Sequence, residues 1–216
     1  MEQIIIIHEV LVNMLLQINP TFVLDFFLLF DKKRIKYYSL GRGNIMKRLY
    51  IDFDGVVLDT IPHLYAALEA SGTDTSSEKE VNRFFSTYDF DMIINDDNIL
   101  NESIECINRL IESKKFEISF LTHVNSLDEA TSKINYLKGK FKNNVTIIIT
   151  PKEVSKTMMV HAEGAILVDD YSGNLTEWEK CGGISVRFSK ELESKGFLVI
   201  NKLDKLIDME FEGDNI

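Results

Sequence analysis

Basic residues are in short supply in this chain. Of its 216 residues, 24 are Lys or Arg and 34 are Asp or Glu, giving a formal net charge of -10. Nucleic-acid polymers are gripped through basic patches, so this balance argues against such a partner. It does not exclude a small phosphorylated substrate, because one local cation and one lysine can dominate a site. Cysteine is nearly absent. Cys106 and Cys181 are far apart and lack the spacing of a metal site, which fits free thiols in a reducing, cytoplasmic compartment. The four histidines form no HExxH pair; His123, next to Thr122, is the one expected near a site, lining its wall. Also missing is the unbroken run of ~20 apolar residues that a membrane span requires. The apolar stretches near the N-terminus are interrupted by Glu9, Asn13, Gln17, Pro20 and Asp25. A basic start and a small-residue cleavage site, the marks of a signal peptide, are not evident either. There are no internal repeats and no low-complexity linker.

What is present is enough for a sizeable core: 45% of residues are apolar, and the length suits one core domain with insertions. Runs of apolar residues alternate between strand-like and helix-like spacing. Helices are expected around Ile104, Ile107, Leu110 and Ile111, over Leu127–Phe141 (a charged amphipathic helix), over 174–180, closed near Gly182, and over 203–209. Strands are expected at 116–122, 145–149, 165–168 and Ile184–Phe188. Alternation of this kind implies a Rossmann-like parallel sheet with right-handed crossovers and helices on both faces, an α/β fold.

The densest chemical signal is Ile51-Asp52-Phe53-Asp54-Gly55-Val56. In extended backbone the side chains at i and i+2 share a face, so Asp52 and Asp54 are expected to face one pocket while Phe53 enters the core. Two neighbouring carboxylates repel and need a cation or a shared proton. Mg²⁺ answers that need and is commonly held by one or two carboxylates plus substrate phosphate. Alone, Asp-x-Asp-Gly also describes a solvated turn. A calcium loop is set aside, because Val56 and Leu58 stand where oxygen ligands are required.

Three later features matter in combination. Thr122 ends a strand-like run, Lys156 follows the run 145–149, and Asp169-Asp170 end the run that begins at Ala165. Singly they read as a strand end, a surface lysine and an exposed turn. Together they matter because ligands of open α/β sheets bind beyond the carboxyl ends of the strands, and these residues would meet at that edge.

In this order, Asp52-Phe53-Asp54-Gly55-Val56, Thr122, Lys156 and Asp169-Asp170 resemble the four motifs of the haloacid dehalogenase-like (HAD) phosphohydrolase superfamily, over about residues 46–210. Val168-Asp169-Asp170-Tyr171, with Asn174-Leu175-Thr176-Glu177-Trp178 and Gly182-Gly183, resembles its 5′-nucleotidase branch, which includes pyrimidine deoxynucleotidases. The resemblance implies a Mg²⁺-dependent phosphomonoester hydrolase. Asp52 would be the nucleophile that forms an aspartyl-phosphate and Asp54 the general acid and base, with Thr122 and Lys156 holding the phosphoryl oxygens. Asp52, Asp54 through its main-chain carbonyl, and the Asp169/Asp170 pair would hold the metal. It leaves open which of Asp169 and Asp170 binds directly. Lys152 is the rival to Lys156, whose distance from Asp169 better resembles the family's. The other functions to weigh are a phosphotransferase or mutase using the same intermediate, and a non-catalytic phosphate-ligand binding protein.

Two regions differ from this core of residues 46–60 and 101–216. Residues 61–100 are expected to form a small helical cap: Ile61, Leu64, Tyr65 and Leu68 repeat at helical spacing, Ser71-Gly72-Thr73-Asp74 breaks that helix, and Val81, Phe84 and Phe85 mark another. Its aromatics, Tyr88 and Phe90 included, suit either stacking on a base or the cap's own small core. Residues 1–45 read as an N-terminal extension. Met46 directly precedes Lys47-Arg48 and the first strand, and Gly41-Arg42-Gly43 can be encoded by a purine-rich run resembling a ribosome-binding site. The expectation is a start at Met46 and a mis-called upstream arm.

Overall fold

In the computed structural model, residues 46–141 and 145–211 are described; the expected N-terminal extension lies outside them. The central strands are apolar on both faces, as strands covered on both sides must be. β1 (Lys47–Ile51) buries Leu49, Tyr50 and Ile51, and all four residues of β4 (Ile166–Asp169) are buried. With β2 (Phe116–Val124), β3 (Thr146–Pro151), β5 (Ile184–Phe188) and β6 (Leu198–Ile200) they form one sheet in the order β3-β2-β1-β4-β5-β6. Every pairing is parallel. The fold is therefore the Rossmann-like α/β arrangement expected.

Strand alternation gives each face its own core. On one, Leu49, Ile51, Phe120, Ile147 and Val168 pack with Ile104, Ile107 and Leu110 of α3 (Ser103–Ser113) and with Leu137 and Phe141 of α4 (Leu127–Phe141). On the other, Tyr50, Leu121, Ile148 and Leu167 pack with Leu175 and Trp178 of α6 (Ser172–Lys180). The Trp178 ring meets Tyr50 edge-on at 5.4 Å, and its Nε1 donates to the Ala165 carbonyl at 2.9 Å. α4 carries Asp128 and Glu129 in its first turn and Lys138 and Lys140 in its last, matching the helix dipole.

Between β1 and β2 lies a helical insertion. α1 (Thr60–Ala70) stops just before Gly72, whose φ is +70°. α2 (Glu78–Thr87) is capped by Ser77, which accepts from the Glu80 amide. Phe84, Phe85, Tyr88 and Phe90 stack in a chain with centroid spacings of 5.3–5.4 Å. Phe85 and Phe90 are buried, and Phe90 joins the main core beside the sheet. Among the described residues no helix is long and apolar enough to cross a membrane.

The chain's end differs from expectation. The segment read as a terminal helix is a 3₁₀ coil, Leu203–Asp208, whose buried Leu203 and Leu206 fall three apart and so on one side of a three-residue turn. β6 was not foreseen; it has only three residues and a half-exposed Leu198.

Register sets the functional edge. Ile51 pairs with Phe120 and with Val168, and the Asp52 amide donates to the Val168 carbonyl at 2.9 Å. The residues just past those positions therefore emerge side by side. The chain turns from β1 toward β2 on one side and returns to β4 on the other, and the crevice at such a reversal is where open sheets bind ligands.

Candidate active site

Asp52 follows the last residue of β1 and is only 8% exposed. The Lys156 ammonium lies 2.8 Å from its Oδ1 and 2.6 Å from Asp169 Oδ2. Lys156 is itself buried, at the start of the short helix α5 (Lys156–Met159). Ser155 caps that helix, and the hydroxyls of Ser155 and Thr157 both donate to Glu177 Oε1 on α6, which fixes the turn that presents Lys156. Lys152 points elsewhere, its ammonium 5.5 Å from the centre of the Phe85 ring.

Asp169 is fully engaged. Oδ2 accepts from Lys156 and from Asn174 Nδ2 at 2.9 Å, and Oδ1 accepts from the Tyr171 amide at 2.9 Å. Asp170 is placed differently. Arg187 donates to its main-chain carbonyl, while its carboxylate lies against Gly55, where a Cβ would collide with it. One oxygen each from Asp52, Asp169 and Asp170 lie within 4.8 Å of one another. Burial pushes Asp52 up to about 8, with Lys156 lowering it and Asp169, Asp54 and Asp170 adding to the rise. Burial also lifts Asp170 to about 7, helped by Asp169 and Asp54. Burial opposes the charge on Lys156, but Asp169 and Asp52 outweigh it and its pKa is raised.

Asp54 does not continue the strand. β1 ends at Ile51, and residues 53–58 coil tightly, with the Val57 amide donating to the Phe53 carbonyl and the Gly55 amide to the Leu58 carbonyl, both at 2.8 Å. The alternation argument for Asp52 and Asp54 therefore fails beyond Ile51, although Phe53 does enter the core. Asp54 Oδ1 accepts from Thr60 at 2.6 Å, and Oδ2 accepts from Lys133 on α4. Thr122 is fully buried, its hydroxyl 3.2 Å from the same lysine.

Lys133 escaped the sequence reading. It is completely buried, and Glu129, one turn earlier, lies 2.7 Å away. One signal was available: Lys133 falls between Ala130 and Leu137, on the buried stripe of an otherwise charged helix. Asn174 and Thr60, which hold Asp169 and Asp54, were also unassigned. His123 hydrogen-bonds the Val154 carbonyl at 3.0 Å; burial, with Lys156 nearby, lowers its pKa. Cys106 is buried and Cys181 exposed, both free.

The donor set suits a hard divalent cation. Five carboxylates (Asp52, Asp54, Glu129, Asp169 and Asp170) face two ammonium groups, those of Lys133 and Lys156. The surplus negative charge sits on oxygen ligands, which is what Mg²⁺ takes. Asp52 and Asp170 carry pKa values raised first by burial and then by the neighbouring carboxylates.

No protein-family model matches the chain, and no curated protein matches it either. Solved structures do. A HAD-superfamily hydrolase of subfamily IA from Geobacter sulfurreducens is 15% identical, with a TM-score of 0.53 over 76% of this chain and 99% of that one. The putative HAD-hydrolase YfnB from Bacillus subtilis, solved bound to magnesium, is 12% identical, with a TM-score of 0.52 over 76% and 97%. A β-phosphoglucomutase from Clostridium difficile is 17% identical, with a TM-score of 0.51 over 75% and 93%. The chain has the fold of the HAD-like superfamily.

Proposed function

We propose that this protein is a Mg²⁺-dependent phosphomonoester hydrolase working through an aspartyl-phosphate on Asp52. The observation that carries the reading is the arrangement around Asp52: a buried carboxylate at a strand end, 2.8 Å from a buried lysine and grouped with Asp169 and Asp170. Asp52 attacks phosphorus as the ester P–O bond breaks, and the leaving oxygen takes a proton from Asp54. Water then attacks the aspartyl-phosphate and gives its proton to Asp54, and the P–O bond to Asp52 breaks, releasing phosphate. Lys156 and the Thr122 hydroxyl hold phosphoryl oxygens and offset their charge. Asp52, Asp170 and the Asp54 main-chain carbonyl would hold the metal directly, since Asp169 is committed to Lys156, Asn174 and the Tyr171 amide. When bound, the ion would supply further charge stabilisation at the transferring group.

Residues 61–100 act in this reading as a small cap over residues 46–60 and 101–216, excluding water on closure. A cavity of about 250 Å³ beside Asp170, bordered by Gly55, Ile61, Pro62 and Lys190, favours a small ester over a polymer. The likeness of residues 168–183 to the 5′-nucleotidase branch makes nucleoside 5′-monophosphates the first substrates to try.

The test is a panel of phosphomonoesters, p-nitrophenyl phosphate and nucleoside monophosphates included, assayed with Mg²⁺. Inorganic phosphate is expected from at least one ester and lost in EDTA. Transfer of phosphate to a sugar or alcohol without release to water would make the protein a phosphotransferase or mutase. Binding without turnover would make it a ligand-binding protein.

A further inference from the structure

Lys133 makes more contacts than a packing role needs, and what it touches is the proposed acid and base. Its ammonium reaches Asp54 Oδ2, Glu129 Oε1 at 2.7 Å, the His123 carbonyl at 2.7 Å and Thr122 Oγ1 at 3.2 Å. Glu129 is 3% exposed and is held in turn by the Asn125 amide at 2.7 Å and Asn125 Nδ2 at 2.9 Å. Burying an ammonium and a carboxylate on a helix stripe otherwise occupied by Ala130, Leu137 and Phe141 costs stability that an apolar residue would not. An ammonium has only three protons to donate, and Asp54, Glu129, the His123 carbonyl and the Thr122 hydroxyl share them. Lys133 is thus committed to the protein and has no proton left for a substrate.

Building on the phosphohydrolase reading, we propose that Lys133 is a positioning residue that aims the Asp54 carboxyl. Thr60 holds one Asp54 oxygen and Lys133 the other, so the carboxyl cannot rotate away from the reacting group. Glu129, fixed by Asn125, holds Lys133 in place. The clamp acts on both proton transfers: from Asp54 to the departing ester oxygen, and from the attacking water back to Asp54. Thr122, on the same ammonium, is set with it.

Esters differing in their need for a proton separate this role from a structural one. In 2,4-dinitrophenyl phosphate the leaving group departs without protonation; in an alkyl phosphate it does not. The wild-type chain and Lys133→Met are compared on both, with Mg²⁺. The variant is expected to phosphorylate Asp52 with the aryl ester and then stall. The signature is a burst of about one equivalent of dinitrophenolate followed by turnover roughly 100-fold slower than wild type, the usual size of a lost acid–base contribution. With the alkyl ester it should show no burst and a comparable fall in kcat at little-changed KM. Lys133→Arg should recover part of the second step. Wild-type behaviour of Lys133→Met on both esters, or equal losses on both without a burst, would overturn the proposal. If Lys133→Met does not fold, Glu129→Gln/Lys133→Met removes the stranded carboxylate charge and is read in the same way. A wild-type chain inactive on every ester would sink the hydrolase reading, and this proposal with it; an active wild type with equal losses in the variant sinks the proposal alone.

Discussion

The Lys156 ammonium lies 2.8 Å from Asp52 Oδ1, and both groups are buried. In the proposed mechanism this carboxylate, with the lysine behind it and Asp169 and Asp170 beside it, is held ready to attack phosphorus. Asp52→Asn keeps the shape and removes the proposed nucleophile. Turnover should drop to background in a steady-state assay, while circular dichroism and melting show an intact fold. Full activity in this variant would end the covalent mechanism.

Asp54→Asn is expected to be milder in kind. Proton transfer is lost but the nucleophile stays, so kcat should fall roughly 10²- to 10⁴-fold. An unchanged rate would move the acid and base role to another residue.

Lys156 and Lys152 are four residues apart and have opposite expected outcomes. Lys156→Met strands Asp52 and Asp169 without their shared countercharge. Breaking a buried pair in this way costs about 3–5 kcal/mol, and chemical denaturation in EDTA should show it alongside lost turnover. Lys152→Met removes only a contact to the Phe85 ring. Its kcat should stay within a few-fold of wild type; a collapse would mean that the wrong lysine has been assigned.

The sequence made some features legible and hid others for physical reasons. α4 could be read from its spacing alone, and its bounds are those expected, because helical periodicity is a local property. Asp52, Thr122 and Asp169 follow apolar runs, and parallel register brings such ends together without any contact being foreseen. Lys133 was hidden because its partner Asp54 lies 79 residues away, and a lysine on a charged helix looks like any solvated one. The backbone at Asp54 was read as strand because nothing in the letters said that β1 stops at Ile51. The 3₁₀ coil at Leu203–Asp208 passed for an α-helix, since two buried leucines three apart satisfy both periods.

The raised pKa values of Asp52 and Asp170 predict a pH-dependent stability for the metal-free protein. Each carboxyl binds its proton more tightly when folded than unfolded, where its value is near 3.8. Their contribution is complete below about pH 4 and is lost as pH rises through about 7 and 8. In EDTA the melting temperature should therefore decline between pH 5 and 8.5. Mg²⁺ should raise it, and more at pH 8 than at pH 5, where protons compete for the same oxygens. Asp52→Asn should flatten the slope in EDTA. A melting temperature indifferent to pH and to Mg²⁺ would show that the three carboxylates do not form one site.

Gly55 links the turn after Asp54 to Asp170. Its φ of +70° lies in the left-handed region, and a Cβ there would strike the Asp170 carboxylate. Gly55→Ala therefore acts twice. The backbone strain costs about 1–2 kcal/mol, and the new methyl group displaces Asp170 from Asp52. The second effect is the informative one, because Asp170 is the carboxylate proposed to take an ion directly. Displacing it should weaken Mg²⁺ affinity by roughly 10- to 100-fold, the range seen when the support of a metal ligand is disturbed. Titrating activity, or melting temperature, against Mg²⁺ measures this. Saturating Mg²⁺ should restore much of kcat, since Asp52, Lys156 and Asp54 are untouched. An unaltered Mg²⁺ dependence in Gly55→Ala would remove Asp170 from the metal site and leave Asp169 to serve in its place.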